Sequence, residues 1–206
     1  MPPIHPRFTG FGVVAGTDPT PEHDLERRDA TCTTNSRKSC SPRTCSPAGW
    51  RRSSPLAERD EPVVLVPVLT GSLVFTADLI RQLPQKMRLD VVTISSYAGA
   101  TTESRGARIR GAVPENLEGQ HIVLVDDIFD TGNTLSLLDR LVRERGAASV
   151  TICVLLAKPS RYEVDLRPDL IGFEIPDAFV VGYGLDYDGL YRNLPFIGVL
   201  KPEVVE

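Results

Sequence analysis

One continuous run, Val123-Leu124-Val125-Asp126-Asp127-Ile128-Phe129-Asp130-Thr131-Gly132-Asn133-Thr134, constrains the fold more than any other part of the chain. Its opening apolar residues suit a fully buried strand, because both faces are hydrophobic. Unpaired carboxylates are costly in a dry core, so the strand must end where Asp126, Asp127 and Asp130 appear. A small, hydroxylated loop around Gly132 follows, and Leu135 to Arg145 then has the spacing of an amphipathic helix. Strand, acidic edge, glycine loop and helix N-terminus in that order belong to a parallel α/β layer.

The rest of the chain from Glu61 repeats this alternation. Pro62 to Val68 reads as a buried strand, and Thr70-Gly71-Ser72 as a turn opening a helix from Leu73 to about Leu83. Leu89 to Tyr97 is a second strand, rich in β-branched residues, and Ala98 to Arg110 a polar, mobile loop. His121 to Val125 and Val150 to Leu156 complete the strands before Pro159; later short segments around Val180, Tyr191 and Ile197 suggest a small hood subdomain. The expected fold is therefore α/β, a mostly parallel twisted sheet flanked by helices on both faces.

Residues 1–60 differ. Thr31 to Ser54 contains one large apolar residue, Trp50, among Ser, Thr, Arg and Pro. Such a segment buries too little surface to offset its conformational entropy, so disorder is expected. A sharper expectation is a stretch translated out of frame. With GC-rich codons assumed and read two bases later, it can encode an acidic, amphipathic peptide suited to a first helix. The DNA decides this, since the idea requires compensating frame changes on both sides. The division expected is thus 1–60 divergent and 61–206 a single catalytic or binding domain. Cys32, Cys40 and Cys45 have spacings that fit no common zinc knuckle. The net charge of −4 argues against bulk nucleic-acid or anionic-membrane binding. The chain shows no bilayer-length apolar stretch and no signal-peptide pattern, which implies a cytoplasmic protein.

The acidic run has chemistry of its own. In an open α/β sheet, ligands lie outside the carboxyl ends of the strands. Asp126 and Asp127 at that edge suit hydrogen bonds from a cis-diol and attraction of Mg²⁺, which prefers oxygen ligands. Asp130, Thr131, Gly132, Asn133 and Thr134 lead into a helix, where free N–H groups favour a phosphate. Any one of these residues alone reads more simply as a helix cap or a solvated strand end. The ordered set points to a phosphorylated sugar with a metal ion. A haloacid-dehalogenase phosphatase needs a second Asp two positions on, and a Walker A loop needs Gly-Lys-Ser/Thr; neither pattern is present.

These residues resemble the phosphoribosyl-pyrophosphate motif of type I phosphoribosyltransferases. Leu155-Leu156-Ala157-Lys158-Pro159, the stretch from Asp169 to Tyr187, Tyr191 to Pro195, Val68 to Ser72 and Ser95-Ser96-Tyr97 narrow the resemblance to hypoxanthine-guanine phosphoribosyltransferases. It covers Pro62 to Leu200 and implies the type I fold. It also implies purine salvage, in which a 6-oxopurine base displaces pyrophosphate from phosphoribosyl pyrophosphate to give IMP or GMP.

By the same resemblance, Asp130 would be the general base. Asp126 and Asp127 would hold the ribose hydroxyls, and Thr131 to Thr134 the 5′-phosphate. Leu69, Thr70 and Gly71, a turn often held by a cis peptide, would bind pyrophosphate together with Arg192. Lys158 would donate to the 6-oxo group, Phe179 would stack on the ring and the Val180 backbone would meet its 2-position. Ser96 and Tyr97 would begin a loop that closes over the site. Mg²⁺ would lie at Asp126 and Asp127, Asp186 would help to hold a second Mg²⁺, and the subunits would form a homodimer or homotetramer. Taken singly, Lys158 reads as an exposed strand end, Phe179 as core and Arg192 as a solvated charge. Thr70 stands where many relatives carry Lys, and Asn133 where many carry Lys or another residue. The alternative on the same fold is a non-catalytic nucleotide-sensing regulator.

Overall fold

The computed structural model describes residues 25–26, 61–95, 108–110 and 114–201. The expectations for Thr31 to Ser54 and for Ser96 and Tyr97 lie outside the described residues. Strands β2 (Val63–Leu69), β6 (His121–Phe129), β7 (Ser149–Ala157) and β8 (Leu170–Glu174) lie side by side and parallel. On the other side of β2 run β3 (Met87–Leu89) and β4 (Val92–Ser95), both parallel to it. β5 (Arg108–Arg110) closes that edge antiparallel to β4.

The central strands are apolar on both faces because both faces are covered. Val63, Leu65, Val123, Val125, Cys153 and Leu155 turn toward Phe75 and Leu79 of helix α1 (Leu73–Ile80). Their alternates Val64, Val66, Ile122, Leu124, Ile152 and Val154 turn toward Leu135, Leu138 and Val142 of helix α2 (Asn133–Glu144). Helices thus flank both faces of a mostly parallel sheet, as the alternation predicts.

Several boundaries differ from the sequence reading. The helix expected to reach Leu83 stops at Ile80, where Arg81 and Gln82 turn ahead of Pro84. The strand expected from Leu89 to Tyr97 is one lane broken into β3 and β4. The break lies beside Pro67, which has no N–H to give; β3 pairs with Val63–Leu65 and β4 with Val68–Leu69. Arg108–Arg110, expected within a loop, is strand β5, held by partners Thr93 to Ser95 that local sequence cannot reveal. β6 runs four residues past Val125, so Asp126 and Asp127 lie inside the strand, with Asp126 paired to Val154 of β7.

A smaller antiparallel sheet sits after β8. β9 (Val180–Val181) pairs with β10 (Gly198–Leu200), and β1 (Leu25–Glu26) pairs with β10 on its other side. Two residues of the divergent first sixty are therefore part of a sheet. Val181, Leu194 and Leu200 form the core of this unit, with Tyr187, Tyr191 and Phe196 against it. Among the described residues, no helix is long and apolar enough to cross a membrane.

Candidate active site

The acids come together through the parallel register. Asp126 is only 6% exposed, inside β6 opposite Val154 of β7. Its Oδ1 accepts the Asp127 N–H at 2.9 Å, and Asp127 Oδ1 accepts the Ile128 N–H at 3.0 Å. Burial holds Asp126 well above the usual carboxylate range, and the charge of Asp127 pushes the same way. Burial also raises Asp127, while Asp126, local N–H groups and the Arg192 guanidinium pull it back down. Two desolvated carboxylates side by side call for cationic or hydroxyl partners.

The turn after β2 meets this pair. The Leu69–Thr70 peptide is cis. A Cβ on Gly71 would stand 1.9 Å from Asp127 Oδ2, so only glycine lets the turn approach the acidic edge. Ser72 is buried and donates its hydroxyl to the Val68 carbonyl at 2.6 Å, fixing the turn ahead of α1.

Beyond Phe129 the chain forms the phosphate-sized loop. Gly132 is the α2 cap, at φ 87°, and a Cβ there would clash with Val164 and Phe129. Neither Asp130 nor Thr131 is the cap of this helix. The Thr131 carbonyl accepts the Glu163 N–H at 2.9 Å, and Asn133 Nδ2 donates to Glu163 Oε2 at 3.0 Å and to Thr131 Oγ1 at 3.1 Å. Thr134 is half-buried in the first turn of α2.

One strand over, Phe129 and Ala157 are register partners, and the Lys158 N–H donates to the Phe129 carbonyl at 2.9 Å. Asp130 and Lys158 therefore leave adjacent strands at the same edge. Lys158 is buried at 7% exposure, its ammonium 3.5 Å from Asp177 Oδ1. Phe179 is 41% exposed, edge-on to Tyr187 with ring centres 5.3 Å apart. It is an open aromatic face, and Val180 behind it is buried and paired with Val199.

Arg192 donates from Nη1 to the Gly184 carbonyl at 2.6 Å and lies 2.7 Å from Asp186 Oδ1; Asp186 Oδ2 accepts the Gly189 N–H at 2.8 Å. A Cβ on Gly184 would meet the Gly71 carbonyl at 2.2 Å, so the Arg192 hairpin packs directly on the turn after β2.

Two ion-pair networks bring in residues to which the sequence assigns no role. Arg161 pairs with Asp130 and, at 3.3 Å, with Asp177. Tyr183 donates its hydroxyl to Asp78, a buried carboxylate on α1 that also pairs with Arg81. Burial and the carboxylate both push the Tyr183 phenol up. Only the oddity of a carboxylate on the apolar face of a helix could have flagged Asp78.

Mg²⁺ can be tested against this donor set. The described residues hold no cluster of three metal-ligating side chains, so Asp186 does not join Asp126 and Asp127 in a closed cage. Mg²⁺ keeps waters and takes one or two carboxylates plus substrate phosphates, so a desolvated pair at an open edge fits it.

Comparison with known proteins adds an independent line. The family described as phosphoribosyl transferase domain matches residues 50–188. The hypoxanthine-guanine phosphoribosyltransferase of Bacillus subtilis (strain 168) is 49% identical over 139 residues, 68% of this chain and 77% of that protein. A hypoxanthine phosphoribosyltransferase structure from Staphylococcus aureus superposes with a TM-score of 0.70 at 38% identity, covering 80% of this chain and 88% of that one. A Trypanosoma cruzi hypoxanthine phosphoribosyl transferase, solved to study how its C-terminal region affects oligomeric state and activity, gives 0.66 at 39% identity. It covers 77% of this chain and 83% of that one.

Proposed function

The chain belongs to the phosphoribosyl transferase domain family, and from that premise we propose how its residues carry out purine salvage. It is a phosphoribosyltransferase that moves the 5-phosphoribosyl group of phosphoribosyl pyrophosphate to hypoxanthine or guanine, releasing pyrophosphate and IMP or GMP. The observation that carries the reading is the common edge of Asp130 and Lys158. A 6-oxopurine presents a ring N–H beside a carbonyl oxygen, and these two residues offer an acceptor beside a donor in the same order.

In this reading N9 of the base bonds to C1 of the sugar as the C1–O bond to pyrophosphate breaks, and the N7 proton passes to Asp130. Lys158 donates to the 6-oxo group, Phe179 covers one face of the ring and the Val180 backbone meets the 2-position. Asp126 and Asp127 accept from the ribose hydroxyls. The Thr131 to Thr134 loop, at the start of α2, wraps the 5′-phosphate. Leu69, Thr70 and Gly71 offer backbone groups to pyrophosphate, and Arg192 offers its guanidinium.

One Mg²⁺ would lie against Asp126 and Asp127 and a second against Asp186, each together with substrate oxygens, and they would supply positive charge to the leaving pyrophosphate. Assembly as a homodimer or homotetramer and a cytoplasmic setting complete the proposal. The test is turnover by the purified full chain with phosphoribosyl pyrophosphate and each of hypoxanthine, guanine, xanthine and adenine, with and without Mg²⁺. Hypoxanthine and guanine are consumed in the presence of Mg²⁺ and adenine is not. A folded sample that consumes neither would sink the reading.

A further inference from the structure

A proton acceptor and an ammonium that leave neighbouring strands at one edge have an obvious alternative to holding a purine: they can pair with each other. Such a pair would fill the place of the ring N–H and the 6-oxo group. In this structure each takes a different partner. Asp130 Oδ1 is held by Arg161 Nε, and Lys158 faces Asp177 at 3.5 Å. Arg161 Nη1 reaches Asp177 Oδ2 at 3.3 Å. The four charges alternate around the edge as Asp130, Arg161, Asp177 and Lys158.

Resting on the site reading proposed above, we infer that Arg161 is a positioning residue that keeps the proton acceptor and the 6-oxo donor apart and turned toward the base. Its place follows from the chain. Pro159 opens a single 3-10 turn, Pro159–Arg161, directly after Lys158, and the Arg161 N–H donates to the Lys158 carbonyl at 2.9 Å. This brings the guanidinium back over the strand ends that carry Asp130 and Lys158. The guanidinium fork suits the task, since one cation addresses two carboxylates from fixed angles. By holding Oδ1 of Asp130, it leaves Oδ2 as the acceptor for the ring N–H. By sharing Asp177 with Lys158, it gives the ammonium a counter-charge other than Asp130 and leaves it donors for the oxo group.

The other charges around Asp130 are Glu163 against the Thr131 loop, Lys158 and Asp177 on the β7 side, and Asp126 and Asp127 on its own strand. Among these, Arg161 is the cation in direct contact. Asp130 and then Asp177 hold the Arg161 proton more tightly.

The experiment compares Arg161→Ala, Arg161→Lys and, as a control on the site itself, Asp130→Asn in the full chain. The measurements are kcat, separate KM values for hypoxanthine and phosphoribosyl pyrophosphate, and thermal melts. Arg161→Ala lowers kcat/KM for hypoxanthine roughly ten- to hundredfold, as expected for a misplaced acceptor. It changes the KM for phosphoribosyl pyrophosphate less than about twofold, the result for a residue outside uniform substrate binding. Arg161→Lys recovers part of the rate. Unchanged base kinetics in Arg161→Ala would overturn the inference while leaving the site reading intact. So would equal losses toward both substrates with a lowered melting temperature and no recovery by Lys. Full turnover in Asp130→Asn would remove the proton-acceptor assignment, and the inference with it.

Discussion

The two sides of the proposed cleft are built by different means. The ribose and 5′-phosphate lining is one unbroken stretch, Asp126 to Thr134, laid along the end of β6 and the start of α2, with the turn at Gly71 packed against it. The base side is gathered from the end of β7, the 3-10 turn after it and the segment before β9, through Lys158, Arg161, Asp177 and Phe179. A continuous stretch obtains its geometry from local backbone rules. A gathered one depends on strand register and on long side chains held by opposite charge. The sugar-phosphate side should therefore respond most to changes in backbone clearance, and the base side to changes in charge.

The largest expected effect tests that backbone clearance. Gly71→Ala drives a methyl into the Asp127 carboxylate. Activity should fall about a thousandfold, equivalent to ~4 kcal/mol, because the turn and the acidic edge can no longer approach. A loss below tenfold would show that the turn can retreat at little cost, and the distinction between the two sides would weaken.

Asp126→Asn separates stability from activity on the same side. The raised Asp126 value means that the unfolded chain, near the ordinary 3.8, gives up its proton before the folded one. The resulting stabilisation is full below that value and is lost as pH rises through the folded value, so at neutral pH the ionised group opposes folding. Asn keeps an acceptor without the charge. The ligand-free protein should gain about 1 kcal/mol at pH 7 and less in acid. Sugar-substrate binding should weaken at the same time. Thermal melts across pH with kinetics on one preparation check both halves; a lower melting temperature at pH 7 would contradict the electrostatic account.

A third effect concerns the seam between the sheet and the hood. Tyr183, at φ 53° between Gly182 and Gly184, ties the Arg192 hairpin to Asp78 of α1. Tyr183→Phe should cost about 1–2 kcal/mol in denaturant unfolding, the usual range when a buried acceptor loses a partner. The KM for phosphoribosyl pyrophosphate should rise more than that for the base, since the hairpin carries Asp186 and Arg192. Equal changes in the two KM values would place the seam outside this division.

Legibility in the sequence followed the same line. The acids, glycine loop and helix could be read because each residue's role depends on neighbours a few positions away. Even there the strand was drawn too short: β6 continues through Asp126 to Phe129 because β7 pairs with it to Ala157. Lys158, Phe179 and Arg192 looked ordinary one at a time, and spacing across a whole family singled them out. Arg161 and Asp177 stood in plain view without a role, because an ion pair between residues sixteen positions apart has no sequence period. The β5 strand was read as loop for a similar reason, since its partner β4 supplies the hydrogen bonds its own composition does not announce.

The sequence by itself determined the alternation of buried strands and helices, the acidic edge with its phosphate loop, and the family. These rest on hydrophobic periodicity and on residues adjacent along the chain. Only the tertiary structure decided that Gly71 must be glycine, that Asp130 and Lys158 share an edge, and that Arg161 lies between their charges. Close approach, register and charge compensation are relations between distant segments, and they exist only once the sheet has brought those segments together.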